Sequence, residues 1–208
     1  MTDRADFAGV TVTGTGRAGA PPDVVRIDLA AESSAVAVHA ALAAATAGLA
    51  SMREALTSAG VQGTDVRTTD TSVHVDHGPG GRPQGYLARL GLSATVRDVA
   101  AAGTVVQDVL ARGGETARLS GLSFSHSDPS GLLATAREAA FADARAKAET
   151  YASLSGRTLG EVSAVEETGG GAVPLPRGMA IAASAADFAV EGGLQEVTVS
   201  VVVRWSWA

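Results

Sequence analysis

Residues 195–208 read QEVTVSVVVRWSWA, and their alternation has one physical reading. Val197, Val199, Val201, Val203, Trp205 and Trp207 recur with period two, while Glu196, Thr198, Ser200, Arg204 and Ser206 fill most of the positions between them. Period two is the side-chain repeat of a β-strand, so one face of this strand is apolar and must be covered. Two alanine-rich stretches, about 35–59 and 128–154, offer the cover, because their apolar residues step by three and four as a helix face does. Aromatic residues make up only 4% of the chain, so the core is expected to be Ala, Val and Leu, with closely approaching elements. Helices laid on largely antiparallel sheet define an α+β fold.

The same two periods place the remaining elements. Further strands are expected at about 9–14, 23–33, 65–76, 86–96, 117–126 and 159–167, and a second helix at about 99–112. Ser33-Ser34 can cap the first helix and Gly60 stop it; Asp98 caps the second, which ends at Gly113-Gly114. Asp128-Pro129 starts the third, which stops at Gly156. Leu42, Ala45, Leu49, Met52 and Leu56 form the first helix's stripe, and Leu133, Ala136, Ala140, Ala144, Tyr151 and Leu154 the third's. On strand 65–76, Val66, Thr68, Asp70, Ser72, His74 and Asp76 share one face, with Val73 and Val75 on the other; so polar a strand suits a sheet edge.

From 23 to 126 the order is β-α-β-β-α-β, the ferredoxin-like split unit. Residues 9–14 with 128–207 form a second lobe, and 9–207 together read as one domain with the amphipathic helices packed on one sheet face. Residues 168–193 have no period and many breakers, so a long irregular loop is expected there. Its Val173, Leu175, Met179, Ile181 and Phe188 would be exposed in a monomer, which favours a homo-oligomer.

Gly14, Gly16 and Gly19 have the spacing G-x-G-x-x-G of a dinucleotide-binding turn. That turn must open a helix whose N-terminus holds the pyrophosphate, yet the chain runs into Pro21-Pro22 and then a strand. The acid expected about 20 residues on is missing from AVAVHAALAA. The glycines therefore read as a bend between two strands, and no cofactor is expected. In HVDH, His74 and Asp76 share a strand face and His77 could join them, which makes these three the candidate metal ligands. In SFSHSD, Ser123, Ser125, His126 and Asp128 contain the residue types of a hydrolase, but strand neighbours point apart and Asp128 serves the helix start. His39 suits a packed or surface position, Glu161, Glu166 and Glu167 a solvated strand face, and Trp205 and Trp207 the core or an interface. No catalytic residue is assigned.

The net charge is −6 and the basic residues are scattered singly, so no nucleic-acid partner is expected. Without cysteine there are no disulfides, thiolate metal sites or cysteine nucleophiles. No apolar run is long enough to span a membrane. The opening MTDRADFAGVTV has no signal-peptide pattern, so the chain as written is expected in the cytoplasm, and in the periplasm or outside the cell if it has been trimmed.

Five stretches, VTVTGTGRAGAPPDVVRIDLAAE, GYLARLGLSATVRD, GLSFSHSDP, ATAREAAFADARAKAETYASLSGRTLGEV and VTVSVVVRWSW, spread over about 10–207, resemble the SIMPL-domain family. That family includes bacterial periplasmic immunogenic proteins and proteins of oxidative-stress defence. The resemblance implies a self-assembling α+β fold and brings no catalytic residues. The expected function is a non-enzymatic, self-associating module of envelope or stress physiology. The alternative is a small-ligand or metal-binding protein, or a metal-dependent enzyme, built on His74, Asp76 and His77.

Overall fold

Seven strands and three helices alternate along the residues described by the computed structural model, 8–77, 81–171 and 192–208. In chain order they are β1 (Gly9–Ala20), β2 (Val24–Ala35), α1 (Val38–Ser58), β3 (Val66–His77), β4 (Pro83–Val96), α2 (Ala102–Gly113), β5 (Ala117–Ser125), α3 (Ser130–Leu154), β6 (Leu159–Gly171) and β7 (Gln195–Trp207). The described residues fall into two compact units, one of 8–21, 127–171 and 194–208, the other of 22–77, 81–126 and 192–193.

The second unit is a four-stranded antiparallel sheet in the order β3-β4-β2-β5, the ferredoxin-like arrangement. Val25, Ile27 and Leu29 of β2 and Leu92, Ala94 and Val96 of β4 bury one face against Met52 and Leu56 of α1 and Val105, Val106 and Val109 of α2. Gly60 ends α1 with φ +83°, where the N–H of Gly60 donates to Thr57 O at 3.0 Å and that of Val61 to Leu56 O at 3.0 Å. This closure needs a left-handed residue, which glycine supplies without a Cβ clash. The other end of α1 departs from expectation. Ser33 and Ser34 do not cap it; they stay in β2 and pair with Ala88 and Leu87, because the strand ladder already satisfies their backbone. Leu42 is exposed as well, and Ala41 and Ala45 take the inward positions.

An extra residue in β3 changes which side chains share a face. Thr68 pairs with Leu92 but Thr71 with Leu90, so three steps on β3 match two on β4. Beyond this bulge Val73 and Val75 join Val66 and Thr68 on the helix side, while Ser72, His74 and Asp76 lie on the opposite side. The single polar face read by strict alternation is therefore broken at residues 69–70, though β3 is indeed an edge strand.

The first unit is a three-stranded antiparallel sheet, β1-β7-β6, with α3 on one face. The alternation of β7 holds: Val197, Val199, Val201, Val203 and Trp205 are buried. The glycine segment does not bend. It continues β1 to Ala20, and Gly14 and Gly16 pair with Val201 and Val199. Their role is close approach: a Cβ on Gly14 would strike the backbone of Ala140 and Ala144, and one on Gly16 the backbone of Ala136 and Ala140. Two strand residues advance about 6.8 Å and four helix residues about 6 Å, so a glycine at every second position stays in step with an alanine at every fourth. Accordingly Ala136, Ala140, Ala144, Ala148 and Ala152 are the buried residues of α3. Tyr151 and Leu154, expected on that face, are 55% and 78% exposed.

Asp128 Oδ1 accepts the N–H of Ser130 at 2.9 Å where α3 begins. Gly156, with φ +65°, closes α3 as Gly60 closes α1. Residues 168–171, expected as loop, prolong β6, since Gly170 and Gly171 pair with Val199 and Thr198. The rest of that expected loop, residues 172–191, lies outside the described residues.

Candidate functional site

The candidate metal ligands sit at the end of β3. His74 and His77 are exposed and Asp76 half-buried; His74 pairs with Leu87 and Asp76 with Gly85 on one face, and a second register shift separates Asp76 from His77. Among the described residues no group of three His, Asp or Glu side chains is placed to hold a metal ion. Ser123 and Ser125 face away from the core, opposite to Leu122 and Phe124, which pack on it. His126 follows the strand, its Nε2 buried and without a hydrogen-bond partner among the described residues. His39 is exposed in the first turn of α1, as are Glu161 and Glu166 on β6. Trp205 is buried, and its ring meets that of Phe141 at 6.0 Å between centroids, tilted by 49°.

The face of the four-stranded sheet away from α1 and α2 carries a polar cluster that single-sequence reading missed. Arg89 of β4 donates to Glu32 at 3.1 Å, to Asp70 at 3.3 Å and to Ser120 at 2.7 Å. The β3 bulge brings Asp70 there, and the Thr69 hydroxyl, ahead of Arg89, holds the Asp70 carboxyl below its ordinary value. Farther along the face Arg97 clamps both oxygens of Asp65 at 2.8 Å, and this fork keeps the Asp65 carboxyl low. Each of these groups is engaged by its neighbours, which suits a structural role.

In the first unit, α3 covers β1 and β7, and among the described residues β6 is left open. Between α3 and β6 runs a groove of about 610 Å³ with Phe141, Ala142, Val165 and Val201 as its apolar lining. Phe141 and Val165 are 37% and 55% exposed along it. Arg137 spans one end to Glu167 with contacts of 2.9 and 3.2 Å, a fork that lowers the Glu167 carboxyl's pKa and raises that of the guanidinium. The sheet's other edge is closed. Asp143 accepts the N–H of Thr15 at 2.8 Å and Lys147 donates to Thr13 O at 3.0 Å, occupying the outer edge of β1 with an i,i+4 pair. No sequence period could reveal the groove, because it exists only where α3 fails to reach β6.

A ferredoxin-like sheet joined in one chain to a helix-backed three-stranded sheet places this protein among α+β proteins of two units. Residues 10–205 match the family SIMPL, described as a protein of unknown function (DUF541), and the chain belongs to that family. It is 27% identical over 181 residues to the 26 kDa periplasmic immunogenic protein of Brucella melitensis biotype 1, covering 81% of this chain and 70% of that one. The protein of the same name from Brucella abortus (strain S19) matches to the same extent.

Proposed function

We propose that this SIMPL protein is a non-enzymatic module of the bacterial envelope or its oxidative-stress defence, residing in the periplasm, and that copies associate through the groove between α3 and β6. The periplasmic setting is drawn from the names of its Brucella relatives. Among the described residues no helix is long and apolar enough to cross a membrane.

The observation that carries the reading is the groove's pattern of charge. Glu138 and Arg145 both line it, two helical turns apart, with Phe141 and Ala142 between them. If two α3 helices pack antiparallel about that midpoint, Glu138 of each copy meets Arg145 of the other, and Phe141 and Val165 are covered at the centre. Glu138 has no partner among the described residues. Arg145 is held only by Glu149, in a pair whose side chains are 65% and 54% exposed. Such pairs contribute little and are readily redirected. A two-fold contact of this kind is the commonest route to a homo-oligomer.

Charge reversal tests it. Glu138→Arg or Arg145→Glu alone is expected to dissociate the assembly, and the double variant to restore it, because the reversed charges are again complementary across the axis. Single variants that assemble as the wild type does, or a double variant that stays dissociated, would contradict the reading.

A further inference from the structure

A second cavity, in the other unit, is built differently. It measures about 310 Å³ and is lined by Arg26, Thr64, Asp65, Arg67, Ser93 and Thr95, all of them polar residues. It opens on the sheet face away from the helices, where the register fixes the order of these groups. Arg26 of β2 pairs with Thr95 of β4, and Arg67 of β3 pairs with Ser93. Two arginines thus stand on the strands flanking β4, two residues out of step and with backbones about 12 Å apart at ordinary strand spacing; Thr95 lies beside Arg26 and Ser93 beside Arg67, with Asp28 across from Ser93 on β2.

What distinguishes this place is unused hydrogen-bonding capacity. Arg67 has no partner among the described residues, and Arg26 reaches only Asp28, at 3.6 Å, beyond hydrogen-bond distance. Arg89 and Arg97 on the same face are, by contrast, fully engaged. The only acid in the lining, Asp65, has both oxygens taken by Arg97. Ser93 is 3% exposed, the one buried polar residue among those described. Two exposed guanidinium forks with hydroxyls between them suit an acceptor with several oxygens.

We propose that this cavity binds a tetrahedral oxyanion, the phosphate group of inorganic phosphate or of a small phosphomonoester. Arg26 and Arg67 hold it from either side, and the hydroxyls of Ser93, Thr95 and Thr64 donate to its oxygens. Arginine suits the task because its planar fork matches two oxygens at once. The cavity lies at the lower end of the usual range for small-molecule sites, about 300–1,000 Å³, which leaves room for a small ester substituent.

The test is a titration of the whole chain with inorganic phosphate and, separately, glycerol 3-phosphate, followed by amide chemical shifts. Saturable shifts at Thr64, Ser93 and Thr95 are expected, with tighter binding by whichever form is the ligand. Arg67→Gln and Arg26→Gln should each weaken binding at least tenfold, and Ser93→Ala several-fold, whereas Arg112→Gln, an exposed arginine on α2, should leave it unchanged. No saturation at millimolar concentrations of either probe overturns the proposal. So does an equal loss in Arg112→Gln, which would mark general charge attraction. The assembly tests concern the other unit, so failure of one proposal leaves the other standing.

Discussion

Gly16 shows how much one missing methyl group can decide. Its Cα faces the backbone of Ala136 and Ala140, so any side chain there must push α3 off the sheet. Gly16→Val is expected to destabilise by about 3 kcal/mol, at the upper end of ordinary overpacking costs. Gly19→Ala should cost much less, since the nearest atom is the tip of Leu194, at 3.0 Å. Urea unfolding of the two variants checks the contrast; equal losses would mean that β1 does not lie under α3 as described. Asp143 carries a prediction in pH. The Lys147 ammonium, then the Thr15 N–H, hold its carboxyl below the ordinary value. A carboxyl depressed in the folded state contributes stability that is fully present above its unfolded pKa, about 3.9, and is lost as pH falls through the lower folded value. The melting temperature of the wild type should therefore exceed that of Asp143→Asn at neutral pH, and the gap should close as the pH drops below about 4. A gap that persists unchanged at pH 2 would show that the carboxylate is not the source.

At the scale of elements, the sequence was readable where a local rule acts alone. Gly60, Gly156 and Asp128 mark helix ends in any context, and β7 alternates because it pairs with β1 in unbroken register along its length, the register shifts on its other side falling in β6. It misled where the partner element sets the pattern. A period-two reading cannot see the residue inserted at 69–70, which turns His74 and Asp76 away from Val66 and Thr68. The glycines of β1 look like a turn until α3 is placed on them. On α3, Tyr151 and Leu154 attract assignment to the core by their size, yet close packing selects the alanines four apart. Two substitutions separate those faces. Ala140→Leu is expected to destabilise by about 1–3 kcal/mol, whereas Leu154→Ala, at a position 78% exposed, should change stability by no more than about 0.5 kcal/mol. Thermal melts of the pair decide it: a large loss in Leu154→Ala with a silent Ala140→Leu would reverse the helix. The groove was the least readable feature, since Phe141 and Val165 lie on elements far apart in sequence that are brought side by side only by the fold.

For the whole molecule, the described residues combine polar clusters largely engaged among themselves with an apolar groove that none of them covers. A chain with net charge −6 gains nothing from indiscriminate contact with its own copies, so association has to rest on local complementarity such as that of Glu138 with Arg145. Phe141→Lys should disrupt it by placing a second cation beside Arg145 at the two-fold midpoint, while the circular dichroism spectrum stays that of the wild type. The most direct measurement is the native mass of the unmodified chain at micromolar concentration, by light scattering or sedimentation velocity. An even multiple of the 20.7 kDa subunit is expected. A mass equal to the single subunit across that range would contradict it.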